Sequence, residues 1–235
     1  MKYLNRIIIC LFISLLFIIP SSASEDDPSS ENYSTKEASL SFHELAARNA
    51  AVRVETSSGF GSGTYVTIAR RKVIITAAHV VKEHSEVLIH GNFGELVFGD
   101  VIYLDPDNDF AIIKVPKLNT RKPVKFNPTK RKFKDLLGCD VVYNGFPGHH
   151  NLLTIRGKIA GKDSGYLILQ SYAWMGASGS GVFDLFGNFV GVLVAVDVEK
   201  FNGHRHIVES MVWIVPIDNI EMRLVRRVLI EQIPL

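Results

Sequence analysis

Cysteine is nearly missing from this chain, with two in 235 residues. Cys10 sits in an N-terminal apolar run and Cys139 stands alone beyond it, so a chain that loses its first residues has no intrachain disulfide and must be held by its core. Metal-ligand spacing is also lacking. The pairs His149, His150 and His204, His206 have no Cys or acidic partners placed to complete a site, so neither metal nor cofactor is expected. There is no Gly-rich phosphate loop, no heptad pattern and no internal repeat. Charge of one sign is absent too, with 26 Lys and Arg against 24 Asp and Glu. That balance excludes a broad basic surface as a reason to expect nucleic acid.

One long hydrophobic run is present, over residues 7–19. Lys2 and Arg6 precede it and Pro20-Ser21-Ser22-Ala23 follows, the layout of a secretory signal occupying residues 1–23. The run is short for a membrane span, so no stable span is expected. Cleavage after Ala23 removes Lys2 and Arg6 and leaves the charges even. The expected location is secreted or periplasmic, with an uncleaved N-terminal anchor as the alternative. Residues 24–38 are rich in Ser, Asp and Glu and poor in aliphatics, which predicts a solvated, disordered tether.

The remainder, 39–235, is long enough for one domain of two packed barrels or layers. Residues 40–52 carry Leu40, Phe42, Leu45, Ala46 and Ala50 at near-helical spacing, with Ser39 or Ser41 able to cap. Short β-branched runs follow at 52–56, 63–68, 72–76, 86–90, 99–104 and 111–115. A stretch at 118–136 interleaves Arg121, Lys122, Lys125, Lys130, Arg131, Lys132 and Lys134 with Pro123 and Pro128, and reads as a solvated connection. A second strand set covers 140–144, 153–160, 166–171, 181–183, 189–196 and 211–215. The fold class is therefore all-β: two six-stranded antiparallel barrels, about 50–117 and about 136–216, with a cleft between them. Ile217, Ile220, Leu224 and Val228 predict a C-terminal helix over about 217–231, packed on the second barrel.

The most informative stretch is Trp174-Met175-Gly176-Ala177-Ser178-Gly179-Ser180-Gly181, which sets a serine between glycines ahead of an apolar run. A hydroxyl is a weak nucleophile at neutral pH, so a catalytic serine needs a base, a group that orients the base, and oxyanion donors. The small-residue segment Thr76-Ala77-Ala78-His79 offers a base, and Asp109 at the mouth of Phe110-Ala111-Ile112-Ile113 offers the orienting carboxylate. Each has an ordinary reading as well: a turn serine, a core histidine, a loop carboxylate. Asp105 and Asp107 compete with Asp109 but flank Pro106 as turn formers would.

Those three segments, in that order, resemble the signatures of the chymotrypsin-like serine proteases. Gly61-Ser62-Gly63, Gly145-Phe146-Pro147-Gly148 and Val215-Pro216-Ile217-Asp218 extend the likeness to the short, HtrA-related bacterial peptidases, over roughly residues 40–225. The resemblance implies a serine endopeptidase with a Ser178, His79, Asp109 triad, an oxyanion hole from the N–H groups of Gly176 and Ser178, and a protein or peptide substrate. It implies that Val194, Ala195 and Val196 line the substrate pocket opposite Ala173 to Met175. Those walls are apolar, which predicts a preference for small or medium aliphatic side chains unless Asp197 turns inward. Gly179-Ser180-Gly181 departs from the Gly-Gly-Pro that many relatives carry after the serine. The peptide-binding C-terminal module of larger relatives is not expected. The rival readings are a catalytically silent binding module on the same fold and a membrane-tethered regulatory protease. Oligomeric state is left open.

Overall fold

The computed structural model describes residues 39–148, 150–202 and 204–232, the side chains of 200 and 201 apart. The signal and tether expected at 1–38, and His149, lie outside the described residues. No described helix is long and apolar enough to cross a membrane.

The described chain opens with helix α1 (Phe42–Ala50), which starts where Ser41 caps it. The Ser41 hydroxyl accepts the Glu44 N–H at 3.3 Å and the Glu44 carboxylate accepts the Ser41 N–H at 2.8 Å, a reciprocal capping box. Glu44 is almost fully buried, and its second oxygen accepts from Arg156 Nε. Arg48 near the other end donates to the Leu152 carbonyl at 3.2 Å and to Thr154 Oγ1 at 3.0 Å. The helix is thus tied to a strand more than a hundred residues away.

The first barrel comprises β1 (Ala51–Thr56), β2 (Gly59–Ile68), β3 (Arg71–Thr76), β4 (Glu86–His90), β5 (Leu96–Asp105) and β6 (Phe110–Lys114). Its order is β1-β4-β5-β6-β3-β2, closed by β1 pairing with β2, and every one of these pairs is antiparallel. Helix α2 (Ala78–Val81) follows β3, and a two-residue strand, β7 (Val124–Lys125), pairs parallel to β2 inside the basic connection. The one-turn helix α3 (Phe133–Leu136) leads into the second barrel.

That barrel contains β8 (Asp140–Gly145), β9 (Leu153–Asp163), β10 (Tyr166–Gln170), β11 (Gly181–Asp184), β12 (Phe189–Phe201) and β13 (His204–Pro216), closed in the order β10-β13-β12-β11-β8-β9. The expected pair of six-stranded antiparallel barrels is therefore the observed architecture. The strands read from β-branched runs recur within a few residues of their expected bounds. The exceptions are β12 and β13, which run past the barrel as a paired arm, from Asp197 with Val208 to Phe201 with His204. Its residues are polar enough on average to hide this length from a hydrophobicity reading.

One apolar cluster crosses between the barrels: Ile74, Phe110 and Ile112 of the first share it with Val142, Phe183, Phe189 and Val215 of the second. A second cluster, with Tyr143, Leu169, Leu193 and Ile214, fills the second barrel alone. A 3₁₀ turn at Ile217–Asn219 precedes α4 (Met222–Gln232). The expected docking of this helix on the second barrel is corrected here. Val225 and Leu229 are buried in the cluster shared with the first barrel, and α4 packs against β5. The expected face is also shifted by one residue: Leu224 and Val228 are half-buried, Val225 and Leu229 fully so, because the helix starts only at Met222, after the 3₁₀ turn.

Candidate active site

β3 ends at Thr76, and the two small residues Ala77 and Ala78, both buried, let the chain turn directly into α2 with His79 on its first turn. Opposite, the turn before β6 is built by Asp105, whose carboxylate accepts the Asn108 N–H at 3.1 Å and the Asn108 side-chain amide at 3.0 Å. That turn delivers Asp109 at φ +45°, a left-handed conformation that a short polar side chain tolerates at modest cost. Asp109 Oδ2 lies 2.7 Å from His79 Nδ1, and Oδ1 accepts the backbone N–H of His79 at 2.8 Å. Both carboxylate oxygens are engaged by one residue. An acceptor-only carboxylate requires Nδ1 to carry the proton, which leaves Nε2 as a lone pair facing away from Asp109. Asp105 is the turn former and Asp109 the histidine's partner.

Tyr166 on β10 packs against the apolar cluster shared by the two barrels. Burial first, and the charge of Asp109 second, push its phenol above the ordinary tyrosine range. Its ring stands edge-on to Trp213, with centroids 5.4 Å apart. Tyr166 was not singled out from sequence, because only barrel packing brings it within range of the Asp109 charge.

The serine loop precedes β11. Trp174 to Ala177 form a turn closed by the Ala177 N–H donating to the Trp174 carbonyl at 3.0 Å. Gly176 takes φ +95°, open to glycine and strained for other residues, and a Cβ there would collide with the Phe146 carbonyl. The Met175 carbonyl accepts the Gly148 N–H at 2.6 Å, and a trans peptide then directs the Gly176 N–H the opposite way. The Gly176 carbonyl accepts from Ser62 Oγ at 2.7 Å, the Ala177 carbonyl from the Ser180 N–H at 3.1 Å, and the Ser178 carbonyl from the Ser62 N–H at 2.8 Å. Every carbonyl from 174 to 178 has a donor, whereas the N–H groups of Gly176 and Ser178 have no protein acceptor among the described residues. Two backbone N–H groups without an acceptor, on a loop whose carbonyls are all satisfied, are donors available to an anion.

The loop abuts the histidine segment. A Cβ at Gly61 would come within 2.7 Å of Val80 and 2.9 Å of the Ser178 carbonyl, and one at Gly179 would lie 3.1 Å from the Ala77 nitrogen. Ser178 Oγ itself donates to the Val194 carbonyl at 3.3 Å and is not hydrogen-bonded to His79. Ser180, where many relatives carry Gly, is fully buried with its hydroxyl unpartnered among the described residues, and it occupies the space beside Gly145.

Of the expected pocket residues, Ala173 and Val194 are buried, Ala195 and Val196 half-buried and Met175 exposed. The 171–173 segment is tied to β13, where the Ser210 carbonyl accepts the Ser171 N–H at 3.2 Å and the Glu209 carbonyl the Ala173 N–H at 3.0 Å. Tyr143 reaches under this segment to the Tyr172 carbonyl at 2.6 Å. Asp197 folds back on its own strand, accepting the Val198 N–H at 2.9 Å. Among the described residues no three His, Cys, Asp or Glu side chains converge as a metal site requires.

The trypsin-like peptidase domain model matches residues 61–192, more than half of the chain and the span that holds His79, Asp109 and Ser178. The chain belongs to the trypsin-like peptidase domain family. Solved structures agree on the fold of this peptidase domain. It is similar to the Rv3671c protease in an inactive form, with a TM-score of 0.62 and 21% identity over 88% of this chain and 98% of that one. It is similar to the serine endoprotease from Yersinia pestis, with a TM-score of 0.62 and 18% identity over 80% of this chain and 66% of that one. An inactive serine-to-alanine mutant of Rv3671c from M. tuberculosis H37Rv aligns with a TM-score of 0.62 and 20% identity over 89% and 96% of the two chains. No curated protein sequence matches the chain.

Proposed function

We propose that this peptidase domain is an exported serine endopeptidase working through Ser178, His79 and Asp109. The observation that carries the reading is the meeting of two halves. One barrel supplies an imidazole locked by both oxygens of Asp109, and the other supplies a serine loop with every carbonyl satisfied and two N–H groups left open.

In the first half-reaction Ser178 Oγ turns from the Val194 carbonyl toward His79 Nε2, gives up its proton there and attacks the substrate carbonyl carbon. The carbonyl oxygen, now negative, enters the pocket between the Gly176 and Ser178 N–H groups. Asp109 stays ionised and stabilises the imidazolium. His79 then returns the proton to the leaving amine as the C–N bond breaks, which leaves an acyl ester on Ser178. Water, deprotonated by the same imidazole, attacks the ester, and the acid leaves as the proton returns to Ser178.

The vacated Val194 carbonyl is free to accept from substrate backbone. Ala173, Val194 and Val196 form apolar walls, and Asp197 is occupied by its own strand, which favours small or medium aliphatic side chains before the scissile bond. Cleavage of peptides differing only at that residue tests this, and efficient cleavage after Arg rejects it. Export, with removal of residues 1–23, is read from Lys2, Arg6 and the run at 7–19; the N-terminal residue of protein recovered from the producing cells tests it.

The decisive experiment is labelling of the purified protein by a fluorophosphonate, with Ser178→Ala as control. Labelling that disappears in the variant supports an activated serine beside a formed oxyanion pocket. A folded protein that neither labels nor cleaves belongs to the silent binding-module reading.

A further inference from the structure

We propose that Ser62, on the opposite barrel from Ser178, is the positioning residue that holds the oxyanion backbone in its open form. The role rests on the peptidase reading above and adds a residue to it. Ser62 lies on β2, wholly buried, and all of its polar atoms are committed to the cleft. Its hydroxyl donates to the Gly176 carbonyl at 2.7 Å and accepts the Phe146 N–H at 2.9 Å. Its N–H donates to the Ser178 carbonyl at 2.8 Å, and its carbonyl accepts from Thr76 Oγ1 at 2.7 Å. The two residues whose carbonyls it holds are the two whose N–H groups face the oxyanion. Thr76, three residues before His79, anchors Ser62 in turn, so one serine links the base's strand, the oxyanion loop and the 145–148 segment.

The surroundings of Ser62 are close-packed. A Cβ at Gly145 would sit 2.9 Å from Ser62 Oγ, and a Cβ at Gly179 would overlap the Ser62 carbonyl. Without the hydroxyl, the Gly176 carbonyl and the Phe146 N–H would both be buried and unpaired. Rotation of the peptides on either side of Gly176 relieves that, and it carries the Gly176 N–H out of the pocket. Phe146 also positions Gly148, whose N–H holds the Met175 carbonyl, so both restraints on Gly176 pass through the segment that Ser62 grips.

A purely structural serine would affect stability and leave the ratio of kcat to KM effects untouched. For Ser62→Ala, kcat on a peptide substrate is expected to fall about 10- to 100-fold, less than or equal to the loss of a whole oxyanion donor. KM should stay within about threefold, and affinity for a peptide boronic acid, which forms a tetrahedral adduct on the serine, should weaken in step with kcat. Ser62→Thr, which keeps the hydroxyl, should recover most of the loss. A folded Ser62→Ala with unchanged kcat, or with a rise in KM alone, overturns the proposal. If the alanine variant does not fold, Ser62→Cys, with its weaker donor in the same shape, is read by the same criteria. If the parent protein itself neither labels nor cleaves, the peptidase reading has failed, and the backbone claim is judged by the crystal structure of Ser62→Ala. A turned Met175–Gly176 peptide supports it, and Gly176 retained at positive φ with its N–H inward overturns it.

Discussion

Asp109 combines two constraints in one residue: a left-handed backbone and a carboxylate with both oxygens on His79. Replacing it by Asn keeps shape and one acceptor but offers an amide that can reverse the histidine tautomer. Asp109→Asn is therefore expected to lower kcat on the order of 10⁴-fold with KM little changed, as tautomer reversal does in triads of this kind. Steady-state kinetics across pH 6 to 9 checks this, and a loss below tenfold would remove Asp109 from the mechanism. Ser180 makes the opposite case, since its hydroxyl is buried without a partner among the described residues. Deleting a group that has lost its water and gained nothing should not destabilise. Ser180→Ala is expected to raise stability by up to about 1 kcal/mol, and a clear drop in denaturant midpoint would mean that the hydroxyl has a partner after all.

Among the elements, α1 is the one whose attachment depends most on charge. Hydrogen bonding from Arg156, aided by the Ser41 N–H, holds the Glu44 carboxyl at about 2, well below the ordinary glutamate value of 4.5. A carboxylate with a depressed folded-state pKa contributes stability that is complete above about pH 5 and is lost as pH falls toward 2. The Arg156 side chain is 58% exposed, so screening reduces the bond's value. Glu44→Gln should cost about 1–2 kcal/mol at pH 7. In melts from pH 7 to pH 2, the gap between parent and Glu44→Gln should narrow below pH 5 and close near pH 2; a gap independent of pH would show that the charge contributes nothing.

Across the whole molecule, the shared apolar cluster decides how the barrels behave. Because Phe110 and Ile112 pack in one core with Phe183, Phe189 and Val215, and α4 adds Val225 and Leu229 from the chain's far end, the first barrel has no interior of its own, and only the second barrel keeps a smaller private cluster beside the shared one. Calorimetry is expected to give a single transition with a van't Hoff enthalpy close to the calorimetric one. Two resolved transitions would show that the cleft can open without either barrel melting.

The sequence by itself determined what is local. β-branched runs placed the strands, Ser39 or Ser41 marked the start of a helix, and the motifs around His79, Asp109 and Ser178 named the residues proposed as the triad. Strand pattern and motif spacing survive in one dimension because each is set by neighbours a few residues apart. What required the tertiary structure was every choice between surfaces: that α4 covers the first barrel, that β12 and β13 continue as an arm, and that Ser62 reaches across to Gly176 and Ser178. An apolar face or a buried hydroxyl states a need, and the partner that meets it can lie more than a hundred residues away, where only the closed barrels select it.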